Sequence, residues 1–243
     1  MRILVINPNT TEEMTAEIDE QARRYAREGT AIETVSPAFG PRSIECHYEE
    51  AVSALAMLET IGEQANGFDG IVIACYGDPG LFAAREISPV PVVGIAEASL
   101  LTACTVAHRF SILAVMPRAV PLMHDLARLH GVESRLASVR ATPLTVLDCV
   151  TDPSSVEREL IRAGRTAVEL DGAEALCLGC AGMGPLDKAV QAAVGVPVLD
   201  GVACAVKLIE GLVDYGLSTS RVAAFKEPEP KEFLNYPRVE VPA

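Results

Sequence analysis

Short apolar runs, each closed by a glycine, proline or asparagine turn, alternate along the chain with longer stretches whose apolar residues recur three or four positions apart. In the first half the runs are Arg2–Asn7, Ala31–Val35, the I-V-I-A segment leading to Cys75, and Val90–Val93. The stretches between them predict helices from Glu12 onward, from about Tyr48 to Ala65, from Pro79 to about Glu86, and from about Ala96 to Ala107. In the second of these, Ala51, Val52, Leu55, Leu58 and Ile61 share one helical face. Strand and helix therefore alternate four times, and strands that are apolar without interruption predict a parallel sheet covered on both faces.

The second half repeats the order. Its runs are Phe110–Val115, Arg135–Ala141, Ala173–Leu178 and Val196–Leu199, followed by a helix from Val202 to Tyr215. Pro8 corresponds to Pro117, Cys75 to Cys180 and Pro91 to Pro197, in each case a little under half the chain apart. Such self-similarity predicts a duplicated α/β fold of two pseudo-symmetric lobes. Each lobe would be a mostly four-stranded parallel sheet flanked by helices, with the active site in the cleft between them. Residues 1–107 with 204–243 are expected to form the first lobe with the C-terminal helix and tail, and 108–203 the second. The turn-rich segment Ser36–His47 reads as a rim over the cleft. In the tail, Phe225, Phe233, Leu234 and Tyr236 are expected to pack back on a lobe or a neighbouring subunit, while the final V-E-V-P-A frays.

Composition narrows the partners. Twenty basic residues against 33 acidic ones give a net charge of −13, which disfavours nucleic acid and anionic membranes. The N-terminal apolar run is too short for a signal peptide, and Pro91 and Glu97 interrupt the one mild apolar stretch, so a cytoplasmic protein without a membrane span is expected. A small-molecule substrate is the expected partner, and a homo-oligomer the expected assembly. Seven cysteines, an odd number, argue against a disulfide framework, and most read as small core residues. His47, His108, His124 and His130 read as surface or packing residues.

Two cysteines stand apart. In open α/β sheets ligands bind beyond the carboxyl ends of the strands, where Asn7, Cys75, Gly94, Met116, Cys180 and Asp200 fall. Cys75 and Cys180 each precede a glycine turn and a predicted helix start, with Asp78 then Pro79 as cap and first residue in one, Gly184 then Pro185 in the other. Turn amides and a helix dipole favour a thiolate, and repulsion favours one thiolate with one thiol. A thiolate on one face of a carbon acid and a thiol on the other can remove a proton and return one to the opposite face. That chemistry requires no cofactor and no metal. Candidate substrate contacts are Asn7, Thr10, Tyr76, Gly77, Met116, Ala181 and Gly182, with helix capping an equal reading for Asn7 and Thr10. Glu97 and Asp200 either orient the cysteine loops or start helices. Cys177 and Cys180 form a C-x-x-C, but strand geometry sends Cys177 into the core and no further ligands are at hand for zinc.

The segments N-P-N-T (7–10), G-P-R-S-I-E (40–45), A-C-Y-G-D-P-G-L (74–81), V-V-G-I-A-E-A (92–98), S-V-R-A (138–141) and L-G-C-A-G-M (178–183) together resemble the hydantoin racemase family, within the aspartate/glutamate racemase superfamily. The resemblance implies an isomerase: cofactor-independent racemisation of 5-substituted hydantoins or allantoin, with Cys75 and Cys180 as paired acid and base. The chain departs from the family pattern at A-V-M-P-R, where relatives carry hydroxyl residues, and at Cys46-His47. Two alternatives remain: another superfamily activity, such as amino-acid racemisation or maleate cis-trans isomerisation, and a non-catalytic two-lobe ligand-binding protein. Dicarboxylates would want cationic clamps, for which the loops offer Arg42, Arg85 and Arg118.

Overall fold

The computed structural model describes residues 1–232 and Leu234. The first lobe runs β1 (Arg2–Ile6), α1 (Glu12–Tyr25), β2 (Ala31–Val35), α2 (His47–Gln64), β3 (Gly70–Ile73), α3 (Leu81–Ile87), β4 (Val92–Gly94) and α4 (Ile95–Val106). The second runs β5 (Phe110–Ala114), α5 (Val120–Leu129), β6 (Leu136–Ala141), the short α6 (Asp148–Thr151), α7 (Pro153–Asp171), β7 (Ala175–Leu178), α8 (Asp187–Val194) and β8 (Val198–Leu199), after which α9 (Gly201–Asp214) follows. Each lobe is a four-stranded parallel sheet, ordered β2-β1-β3-β4 and β6-β5-β7-β8. The α/β architecture of two matching lobes is therefore as the alternation predicts.

Side chains of a strand point alternately to the two faces of its sheet, and the first sheet uses both. Ile3, Val5 and Val72 face a core continuous with the second lobe. Leu4, Ile6, Ile71 and Ile73 face Met57 and Ile61 of α2 and Leu81 of α3. The last helix of each half crosses over: α4 packs on β7 and β8, and α9 on β3 and β4 as well as on α1 and α4. The approach is tight enough to need glycine. A Cβ at Gly70 would meet Ile209 Cγ2 at 2.4 Å, and one at Gly201 would meet the Ile95 carbonyl oxygen at 2.8 Å.

The helices after the cysteine turns start later than Asp-Pro and Gly-Pro suggest. α3 begins at Leu81 behind Gly80 (φ 69°), and Ala181–Leu186 is a tight 3-10 turn containing Pro185 before α8. Asp78 does not cap α3 because its carboxylate is taken by two amides elsewhere, Ala96 N at 3.0 Å and Glu97 N at 2.8 Å. In the tail, Phe225 stacks at 5.9 Å on Phe82 and lies 5.7 Å from the Arg85 guanidinium, while Arg221 donates to the Arg85 and Glu86 carbonyls. Leu234 is exposed, and Phe233, Tyr236 and the final V-E-V-P-A lie outside the described residues. Among the described residues no helix is long and apolar enough to cross a membrane.

Candidate active site

The strand ends of both lobes open onto one cavity that Cys75 and Cys180 both line. Tyr76, Gly77, Met116 and Ala181 line it too, whereas Asn7, Thr10 and Gly182 do not. Asn7 is fully buried and donates from Nδ2 to Asn9 Oδ1 (3.0 Å) and Thr15 Oγ1 (2.9 Å). It thereby orients Asn9, which does reach the cavity. Thr10 spends its amide and hydroxyl on the Pro41 carbonyl, and Thr11 Oγ1 donates to the Arg42 carbonyl at 2.6 Å. These threonines tie down the rim. Gly182 packs instead on Cys149, whose Cβ would lie 2.8 Å from any side chain placed there.

The two cysteine turns are built alike. Cys75 O accepts the Asp78 amide at 2.9 Å and Cys180 O the Met183 amide at 3.2 Å. The Gly77 amide points at the Cys75 sulfur, and the Gly182 amide at the Cys180 sulfur. Gly179 leads into the second turn so close to β5 that a Cβ would sit 2.7 Å from the Leu113 carbonyl oxygen. Both cysteines are half-buried and, like the other five, free.

Their proton affinities nevertheless diverge. Burial pushes the Cys75 thiol well up, with the Gly77 amide opposing and Cys180, Glu50 and Asp78 adding to the rise. Cys180 is pulled down: a hydrogen bond from the Cys149 thiol is the largest cause, burial opposes it, and the Gly182 amide assists. Glu17 and Glu45 push Cys180 back up by charge. The thiol–thiolate asymmetry that repulsion requires thus has a built direction.

The lobes differ again one layer beneath. In the first, Asp78 comes from the cysteine turn and caps the amides of Ala96 and Glu97 at the start of α4. In the second, Asp200 comes from the strand end and caps the equivalent amides of Val202 and Ala203 in α9. Each carboxylate faces a glycine in the position its counterpart occupies: a Cβ at Gly94 would meet Asp78 Cγ at 2.2 Å, and one at Gly184 would meet Asp200 Oδ1 at 2.8 Å. Burial raises Asp78 to about 7 and Asp200 to about 6, against the pull of those amides. His130, an expected surface or packing residue, packs inside here, 4.0 Å from Asp78 and 3.8 Å from Glu97, and burial lowers its pKa. Glu97 itself pairs with Arg85.

Several cavity groups carry no sequence signal of their own. Glu50 of α2 leans over Gly77, where a Cβ would meet its Oε1 at 2.2 Å, and its Oε2 accepts from His47 Nδ1 at 3.2 Å. Burial raises the Glu50 carboxyl. Glu45 Oε1 accepts the Val146 amide at 3.2 Å, tying the rim of the first lobe to the second. Ile44, Val115, Met116, Ala119, Leu122 and Val146 give the cavity an apolar wall. Cys177 is fully buried, as strand geometry predicts, and contacts the Ser99 carbonyl at 3.8 Å. Ser99 Oγ also holds the Tyr76 hydroxyl at 3.0 Å.

The family model of the Asp/Glu/Hydantoin racemases matches residues 3–209. The chain belongs to the Asp/Glu/hydantoin racemase family. A hydantoin racemase of Pseudomonas sp. (strain NS671) is 47% identical over 236 residues, covering 96% of this chain and 94% of its own. Among solved structures, an allantoin racemase from Klebsiella pneumoniae superimposes with a TM-score of 0.93 at 42% identity, with 95% of each chain covered. One from Pseudomonas fluorescens gives 0.94 at 40% identity, covering 96% of this chain and all of its own, 100%.

Proposed function

We propose that this protein is a cofactor-independent racemase of 5-substituted hydantoins in which Cys180 and Cys75 exchange the C5 proton. The observation that carries the reading is the pair itself: two cysteines on equivalent turns line one cavity and hold protons with opposite tenacity. The substrate ring lies between the sulfurs with C5 facing both. Cys180 as thiolate takes the C5 proton, the charge delocalises into the ring carbonyl as an enolate, and the Cys75 thiol protonates the other face. As Cys75 gives up its proton, the Gly77 amide already aimed at its sulfur stabilises the new thiolate. The opposite enantiomer follows the same steps in reverse.

The cavity supports an uncharged ring. Glu45 and Glu50 line it beside the cysteines, so a dicarboxylate would meet two carboxyl groups with Arg118 as its counterion. The apolar wall around Met116 and Leu122 favours alkyl and aryl substituents at C5 over the polar ureido group of allantoin. The test follows circular dichroism of single enantiomers of alkyl and aryl hydantoins and of allantoin in deuterated buffer, without added cofactor. Optical activity should decay faster than in buffer alone, with deuterium at C5, and faster for the alkyl and aryl compounds. Parent-rate racemisation by both Cys75→Ser and Cys180→Ser would sink the reading.

A further inference from the structure

We propose that Cys149 is a positioning residue: its thiol donates a hydrogen bond to Cys180 and thereby makes Cys180, rather than Cys75, the resting thiolate, the base ready for one enantiomer. The inference rests on the racemase reading for the word base, and on geometry for the rest. Cys149 sits on the short helix α6 and is 3% exposed. It lies flat against the Cys180 turn, with its Sγ 3.6 Å and its Cβ 2.8 Å from where a Gly182 side chain would start. Any residue but glycine at 182 would force the two apart. From that position the thiol is turned to the Cys180 side chain.

The segment carrying Cys149 is held in place from both ends. Asp148 Oδ2 accepts from the Thr145 amide at 2.7 Å and the Thr145 hydroxyl at 2.8 Å, closing the turn before α6. The Val146 amide is anchored on Glu45 of the opposite lobe. Of the two sulfurs, Cys180 faces the cavity and receives the Gly182 amide, whereas Cys149 is enclosed by protein, so the charge settles on Cys180 and the proton on Cys149. The charged groups facing this pair are Glu17 from α1, Glu45 from the rim and Asp148 from α6, all carboxyl groups. Each of them opposes a thiolate by charge, so none substitutes for the Cys149 hydrogen bond. Among the described residues no such donor stands beside Cys75; Glu50 stands over its turn instead.

Peptide-resolved alkylation with iodoacetamide across pH tests this in the whole protein, because only the thiolate reacts. In the parent, Cys180 should alkylate with a midpoint below that of Cys75. Cys149→Ala should raise the Cys180 midpoint by about one pH unit or more, the scale of one lost hydrogen bond to a charged group. Cys149→Ser, which keeps a donor, should restore it, and the acidic limb of kcat/KM for hydantoin racemisation should move in step. A Cys180 midpoint unchanged in Cys149→Ala overturns the proposal. So does a parent in which Cys75 alkylates at lower pH than Cys180, an outcome readable even if the alanine variant fails to fold. Midpoints that shift as expected in a protein that racemises no hydantoin would retain the hydrogen-bond assignment and remove the racemase reading alone.

Discussion

The two cysteine turns share a strand, a sulfur, a glycine amide aimed back at it and a buried carboxylate beneath, yet they hold protons differently. At Cys75 the surroundings are carboxyl groups and burial, both of which favour the thiol. At Cys180 a neighbouring thiol outweighs burial and favours the thiolate. Duplication supplied two equivalent positions, and what distinguishes them is contributed by residues that differ between the halves: Glu50 from α2 on one side, Cys149 from α6 on the other. A symmetric scaffold with unlike neighbours suits a reaction that needs an acid and a base at mirror-related points.

The strongest way to break this comparison is to remove one sulfur at a time. Cys75→Ser and Cys180→Ser should each slow racemisation by about 10²- to 10⁴-fold, the usual worth of a positioned acid or base. In deuterated buffer each variant should retain C5 exchange for one enantiomer, and the two variants should retain opposite ones. Exchange of the same enantiomer by both would mean that the sulfurs do not address opposite faces.

The exchanged carboxylates offer the next test. Gly94→Ala should displace Asp78 from the Ala96 and Glu97 amides and cost about 2–4 kcal/mol, by breaking a buried charged hydrogen-bond pair. Gly184→Ala meets Asp200 less closely and should cost about 1–2 kcal/mol. Urea midpoints compare them, and equal losses would deny that the first lobe is the tighter.

Proton linkage sharpens the same contrast. Both carboxyls titrate above the ordinary 3.8 in the folded protein, Asp78 at about 7 and Asp200 at about 6. The folded state therefore binds these protons more tightly, so their contribution is full below the unfolded value and is lost as pH rises through 6 to 7. His130, lowered by burial, works in the opposite sense up to its ordinary 6.5. The loss of melting temperature between pH 5 and pH 8 should shrink in Asp78→Asn and, by less, in Asp200→Asn. A steeper loss in Asp78→Asn would contradict the burial of that carboxyl.

The smallest effect is expected at the apolar wall. Met116→Ser should shift the ratio of kcat/KM for allantoin over an alkyl hydantoin by about tenfold toward allantoin, since removing a few buried methylene-sized groups is worth ~1–3 kcal/mol. An unchanged ratio would remove Met116 from the substituent's surroundings.

Much of this was legible in the chain. Short runs between turns marked the strands, β2 to the residue, and the internal repeat paired Cys75 with Cys180. Features that depend on distant partners were not. Asp78-Pro79 has the composition of a helix cap, but its carboxylate reaches amides 18 and 19 positions away, which no local pattern reports. Asn7 and Asn9 look interchangeable until the turn after β1 buries the first and brings the second to the cavity. Cys149 lies on a four-residue helix, too short for any periodicity, and only the fold brings it to Cys180.

The crossing of α4 and α9 has a consequence in time as well as in space. A chain made from its N-terminus completes every strand of the first sheet early, but the helix that covers β3 and β4 on their inner face is α9, the last α-helix among the described residues. Until Ile209 closes over Gly70, that face stays open. The first-made half is thus the last to be finished, and a chain interrupted near residue 200 would carry both cysteines without the helix that seats the first.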